Sequence, residues 1–357
     1  MLTFDTPLNN LSFGHVAFNI LERLHARSEG VNLFLKQEPP DLSAFSIKPE
    51  FKKWLNDSWT LARTRYSVED PSLKLWHIHG GSEQRIGRNQ TLLTFHEVDS
   101  LTPYEINVLR NQDRVLFTSK FSCEVAKAHG LDNTEYCPLG FDAVHFKPLP
   151  RASGPIQFSL FGKFEKRKHT ENVIRDWCER FGRDAKYTLN LHVYNPFFSP
   201  EQNNALMARA FAGQKPFNVN IVPYSKTLVE FNESLNNADI VLDMSGGEGF
   251  SIPSFSAVCL GKHAVINNCS SLADWAPQGG ACLVKPAEKI DVYDGVFFRR
   301  ENPFGQGKIF GFDHDGFIDG CERAIQKFEA NPVNQDGLNL KDIYTYDKTL
   351  DIILRKN

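Results

Sequence analysis

Residues 237–267 read NADIVLDMSGGEGFSIPSFSAVCLGKHAVIN. An apolar run, Ile240 to Met244, predicts a buried strand. It opens into Ser245-Gly246-Gly247-Glu248-Gly249-Phe250-Ser251, and a helix is expected from about Pro253 to Leu260. Proline suits the first helical turn, and Gly261 suits the stop. A second short strand, Ala264 to Ile266, follows. Strand, glycine turn, helix, strand is a βαβ unit, which requires a parallel sheet. Three glycines around one glutamate put backbone N–H groups and a carboxylate at the strand's C-terminal tip, where they can face phosphate or sugar hydroxyls. An ordinary strand-to-helix loop is the plain alternative.

Upstream, residues 156–174 read IQFSLFGKFEKRKHTENVI. A strand over Ile156 to Phe161 runs into Gly162 and a basic cluster of Lys163, Lys166, Arg167 and Lys168, then into a helix from about Thr170. A glycine turn, a helix N-terminus and lysines together favour a diphosphate. A solvated basic turn is the plain reading.

The same alternation recurs along the chain. Strand-like runs lie at Leu73–His79, Thr91–Phe95, Arg114–Thr118 and Thr188–Tyr194, with helix-like stretches at Gly14–Arg27, Lys120–His129, Thr170–Phe181 and Leu228–Asn236. FKPLPRASGP, residues 146–155, breaks any helix and marks a boundary. The expected organisation is a first domain over 1–150, a second over 151–335, and a helix over 336–357. At 357 residues the chain is too long for one ordinary core and suits two domains.

Composition narrows the classes. With 41% hydrophobic and 23% charged residues, the chain is a globular one rather than a disordered one. Net charge −3 supplies no general field for nucleic acid or anionic membrane. The seven cysteines are scattered, without zinc spacing, and read as reduced thiols of a cytoplasmic protein. No window reaches the 18 or so apolar residues of a membrane span, and MLTFDTPLNN is no signal peptide.

Taken in order, these segments resemble the retaining glycosyltransferases of family 4. That family has a Gly-Arg turn followed by a lysine, then Glu-Gly-Phe-Gly-Leu-Pro leading to a second glutamate. Lys163 stands at the arginine position, Lys168 at the lysine and Glu248 at the first glutamate. Gly261 to Ile266 resembles the Gly-x-Pro-Val-Ile ending, and Pro138-Leu139-Gly140-Phe141-Asp142 with Phe146 and Pro148 resembles the domain junction. YTYDKTLDIIL, residues 344–354, is similar to the terminal helix that crosses back to the first domain.

The resemblance implies a GT-B architecture: two Rossmann-like, doubly wound α/β domains facing across a cleft. It implies transfer of a hexose from a nucleotide-sugar co-substrate, such as a UDP- or GDP-sugar, to a glycan, glycoconjugate or other acceptor. Retention and independence of any metal or other cofactor come with it. Lys163, Lys168, Glu248 and His96 would be catalytic, with Gly14, Gly162, Gly249, Phe250, Ser251 and Ser256 binding the donor. The family's second glutamate, which binds the nucleotide ribose, falls at Ser256. Serine offers one hydroxyl in place of a bidentate carboxylate. This departure keeps a non-catalytic, sugar-binding protein as an alternative. A glycosyltransferase acting on modified DNA bases is another, against which the negative net charge weighs.

Three further features have two readings each. His77 and His79 flank a strand end and read as structural histidines. Asp313-His314-Asp315 looks like a metal-binding Asp-x-Asp but follows no nucleotide-binding unit. Phe51 to Tyr66 mixes aromatic and basic residues and offers peripheral membrane contact; the plainer reading is a solvated helix with a buried aromatic face.

Overall fold

The computed structural model describes residues 1–36, 39–211, 213 and 215–355. The first half runs β1 (Leu2–Thr6), α1 (Ser12–Ala26), β2 (Val31–Leu35), α2 (Pro49–Thr60), α3 (Ala62–Arg65), β3 (Ser72–Leu75), β4 (Gln90–Thr94), α4 (Pro103–Arg110), β5 (Arg114–Phe117), α5 (Lys120–Ala128) and β6 (Thr134–Tyr136). The second begins with β7 (Ile156–Phe161), α6 (Thr170–Phe181), β8 (Tyr187–His192), α7 (Pro200–Ala210), β9 (Val219–Ile221), α8 (Leu228–Asn236), β10 (Ile240–Asp243) and α9 (Ile252–Cys259). It continues through β11 (His263–Asn267), α10 (Leu272–Trp275), β12 (Cys282–Val284), β13 (Pro286–Asp291), β14 (Lys308–Phe312), α11 (His314–Ala330), α12 (Gln335–Ile343) and α13 (Tyr346–Leu354).

The strands form two six-stranded sheets, ordered β2-β1-β3-β4-β5-β6 and β12-β11-β10-β7-β8-β9. Both are parallel throughout. Parallel sheets are covered on both faces, so their strands are apolar and buried along their whole length. Every residue of β10 and β11 is buried, the alternation of a half-exposed strand being absent. The remaining pair, β13 and β14, is an antiparallel hairpin that stands off the second sheet.

From Lys147 the connecting segment is already tied to the second half. The amides of Lys147 and Leu149 donate to Asn232 and Asn236 of α8, at 3.0 and 2.9 Å.

The chain then returns. On α13, Tyr346, Leu350 and Ile353 are buried, and Arg27, just past the end of α1, pairs with Asp347 and Asp351 at 2.9 and 2.6 Å. Gly140 permits the crossing, because a Cβ there would lie 2.0 Å from the Tyr346 nitrogen. Arg114 of β5 closes the helix's far end. Its guanidinium donates to the carbonyls of Ile352 and Arg355 at 3.0 and 3.2 Å, and pairs with Glu135 at 2.6 Å. A helix C-terminus leaves such carbonyls without partners and carries partial negative charge. Arg114→Ala is therefore expected to destabilise the chain by about 1–3 kcal/mol, read by chemical denaturation. An unchanged midpoint would show that water satisfies these carbonyls equally well.

The aromatic face of α2 is turned inward. Phe51 is buried and stacks on Trp54 at 5.8 Å, both beside His25 of α1, while Lys52 and Lys53 are exposed. Among the described residues no helix is long and apolar enough to cross a membrane.

Candidate functional site

In an open parallel sheet, ligands bind at the carboxyl ends of the strands where the winding reverses. In the second sheet, β7 to β9 are added toward one edge and β10 to β12 toward the other, so the reversal lies between β7 and β10. The Gly162 turn leaves β7 there, and the Gly246–Gly249 turn leaves β10. Both helices that follow start from a residue in the left-handed region, His169 (φ 52°) and Ser251 (φ 64°), and neither has a side-chain N-cap. Helices α1 and α2 also lack one, but they start from extended residues.

Asp243 at the tip of β10 builds the acidic turn. Its carboxylate accepts from the hydroxyls of Ser251 and Ser254, at 2.5 and 2.7 Å, and from the Ser245 amide at 3.2 Å. The Gly246 amide donates to the Arg167 carbonyl at 2.9 Å, so the two turns are joined backbone to backbone.

Six charged side chains meet over this junction. Glu248 accepts through Oε1 from Lys168 and from Arg167, the latter at 2.8 Å. Arg167 also pairs with Glu165 and with Glu97 of the first domain, each at 3.2 Å. Lys163 pairs with Glu165 at 2.8 Å, its ammonium 4.4 and 5.3 Å from the ring centres of Phe297 and Phe197. Burial pushes the Glu248 carboxyl up, yet Arg167 and Lys168 outweigh it and hold it at about 2. Burial lowers the Lys168 ammonium, and Glu248 more than restores it. Glu97 goes the other way. Burial raises it against the pull of Arg167, with Glu248 and Glu165 adding to the rise.

The first domain supplies the facing wall. His96 and Glu97 follow the tip of β4. His96 is 5% exposed, burial holds its imidazole neutral at ordinary pH, and its Nε2 is buried without a hydrogen-bond partner. Gly14 lies in the first turn of α1, where a Cβ would meet the Asn9 carbonyl oxygen at 2.1 Å. The next residue back, Phe13, packs edge-on against Phe95 at 4.8 Å, and Phe95 underlies Gly249.

The Ser251 hydroxyl is committed to Asp243, and the charges acting on His96 are those of Glu105 and Asp99 in its own domain, while Lys163, Lys168, Glu248, Gly162 and Gly249 converge. The Phe250 ring does not: it is 2% exposed and packs on Phe255 in the core, leaving only backbone to a ligand. Even there the Phe250 carbonyl accepts from Trp275, and the Gly249 carbonyl from Thr118. Ser251 faces Asp243, and Ser256 is buried on α9. His77, read as structural, packs on the rings of Phe13, Trp76 and His79, and the surrounding protein lowers its pKa to about 4. Asp313 caps α11 by accepting from the Gly316 amide, and His314 pairs with Asp176. Among the described residues no group of three or more His, Cys, Asp or Glu is arranged to hold a metal ion. Sequence reasoning missed Glu165 and the bridging part of Arg167. Charge balance was the available signal, since three cations crowded into one turn, one of them buried, require carboxylates beside them.

This is the GT-B fold: two Rossmann-like domains facing each other across a cleft. Several solved structures share it. Sucrose-phosphate synthase from Thermosynechococcus elongatus matches at TM-score 0.67 and 14% identity, over 99% of this chain and 96% of its own. WaaG, a glycosyltransferase involved in lipopolysaccharide biosynthesis, matches at 0.62 and 11%, over 100% of both chains. HepE of Anabaena, in complex with UDP-glucose, matches at 0.60 and 12%, over 99% and 97%. Such identities establish a common fold. No family model and no curated protein matches the sequence.

Proposed function

We propose that this chain is a glycosyltransferase that moves a hexose from a nucleotide-sugar donor to a glycan or other acceptor with retention, in the cytoplasm. The observation that carries the reading is the meeting of Lys168 and Glu248 at the winding reversal of the second sheet. Structures of similar fold hold such donors: HepE with UDP-glucose and an E. coli trehalose-6-phosphate protein with UDP-2-fluoro glucose.

The chemistry follows from the charges. Breaking the bond from the anomeric carbon to the diphosphate builds positive charge on the sugar ring and negative charge on the leaving diphosphate. Lys163 and Lys168 supply two cations at that point, in place of a metal. In a water-poor cleft such fixed charges stabilise a transition state strongly. Lys168 is held by Glu248 in the ligand-free chain, so binding exchanges one anion for another. Glu248 is then available to the donor sugar's hydroxyls. The unpartnered Nε2 of neutral His96 is the kind of buried group that a ligand satisfies, here with a sugar hydroxyl.

A panel of UDP, GDP and ADP, bare and with their sugars, tests the reading by thermal shift and product analysis. One family of nucleotides is expected to raise the melting temperature. Lys168→Ala is expected to slow transfer by roughly 10²–10³-fold, as loss of one charged contact to a developing oxyanion does. Ser256 favours one second reading, a chain that binds sugar nucleotide without turning it over; binding with no product from any acceptor would select it. No stabilisation by any nucleotide would sink both.

A further inference from the structure

We infer that Arg167 is a positioning residue that makes the orientation of Glu248 depend on contact between the two domains, with Glu97 supplying that contact. The inference rests on the proposed role of Glu248 toward the donor sugar.

Arg167 is 4% exposed. Its Nη1 donates to Glu248 and to the Gly247 carbonyl, and its Nη2 faces Glu165 and Glu97. Its Nε is buried with no partner. The guanidinium plane is therefore fixed by its two terminal nitrogens alone. Of the groups on them, Glu97 is the one contributed by the first domain. A planar fork shared among carboxylates transmits orientation in a way that a lysine's single ammonium does not.

The loop after β4 that carries Glu97 is also where the domains touch. The Glu97 carbonyl oxygen would lie 2.0 Å from a Cβ on Gly247, and Phe95 fits beneath Gly249. Two residues on, Asp99 accepts from the Lys308 amide at 2.7 Å and pairs with Lys289 at 2.9 Å, both on the β13–β14 hairpin. One loop thus holds the acidic turn, the guanidinium and the hairpin together.

The charges give the contact its direction. With Glu97 withdrawn, Lys163, Arg167 and Lys168 face only Glu165 and Glu248, a surplus of one cation that attracts an anionic donor. With Glu97 in place the six charges balance. Lys163, Lys168 and Glu165 flank the pair from the β7 turn, Glu248 from the β10 turn and His96 from its own loop.

Glu97→Gln keeps the side chain's size and removes its charge; Arg167→Lys keeps charge and removes the fork. Two measurements are made on the full chain. Without ligand, the separation of dyes placed on the two domains is expected to lengthen in Glu97→Gln. In transfer assays both variants are expected to lose at least about tenfold in kcat, while KM for the nucleotide sugar stays within about threefold in Arg167→Lys and stays level or falls in Glu97→Gln, so that neither loss is one of donor binding. Glu97→Asp should recover part of the loss. Wild-type kcat in Glu97→Gln overturns the inference, as does wild-type kcat in a folded Arg167→Lys. If the wild-type chain transfers no sugar, the functional proposal fails separately, and an unchanged dye separation in Glu97→Gln then overturns this one.

Discussion

Replacing Glu248 by alanine is expected to unfold the chain several degrees early and to abolish sugar transfer. The side chain is 7% exposed and is the shared partner of Arg167 and Lys168, themselves 5% and 13% exposed. Removing it leaves two cations with little water and one partner fewer. Breaking a buried pair from one side costs about 3–5 kcal/mol. For domains of this size that corresponds to a fall in Tm of roughly 6–20 °C. The same surplus charge should make the variant a better anion binder. A nucleoside diphosphate that stabilises the wild-type chain is expected to raise the variant's Tm by a larger increment, though no product forms. Glu248→Gln keeps a hydrogen-bond acceptor and should lose less stability. Differential scanning fluorimetry with and without nucleotide checks all three statements. A Glu248→Ala chain with wild-type Tm would mean that the cations find water in the folded state.

The second large effect is expected at Gly247. A methyl group there would sit 2.0 Å from the Glu97 carbonyl oxygen and 3.1 Å from its carbon. Neither backbone can easily yield. The Gly247 carbonyl is held by Arg167, and the neighbouring Gly246 is held on both sides, its amide on Arg167 and its carbonyl on Phe310 at 2.9 Å each. Gly247→Ala must therefore part the domains at this point. A displacement near 1 Å at a reacting centre costs on the order of 10²-fold in rate. That loss is expected in kcat/KM, while each domain, whose core lies elsewhere, keeps its stability to within about 1 kcal/mol. Wild-type kcat/KM for Gly247→Ala would show that the two turns need not touch during turnover.

The fold was legible in the sequence because its signals are local. The runs Ile156–Phe161 and Leu228–Asn236 delimit β7 and α8 residue for residue, since glycine or proline punctuates one and a Thr-x-x-Glu capping box starts the other. Thr-Leu-Leu-Thr-Phe shifted by one residue, because Gln90 joins β4 and Phe95 leaves it to pack under Gly249. In the candidate site, what was legible is what a glycine turn after a strand announces locally, as at Lys168 after β7 and Glu248 after β10. The link from Glu97 to Arg167 spans two domains and 70 positions of sequence, and no periodicity announces it. The β13–β14 hairpin left no clear mark either, because Pro286–Asp291 is mostly exposed and reads as loop.

The return of α13 to the first domain also bears on how the molecule is made. A growing chain is synthesised from its N-terminus at about 5–20 residues per second, and domains tend to fold as units as they emerge. The first sheet is complete in sequence once β6 has been made, yet the carbonyls that Arg114 binds, and the apolar residues Tyr346, Leu350 and Ile353, are roughly 200 residues further on. At those rates the gap is on the order of 10–40 seconds. Throughout it, the groove beside α1 that will receive α13 is open, and the second domain, contiguous between Ile156 and Ile343, is free to fold. The half begun first is thus the half finished last, and a ribosome-bound nascent chain stopped before Tyr346 lacks the helix that covers this groove.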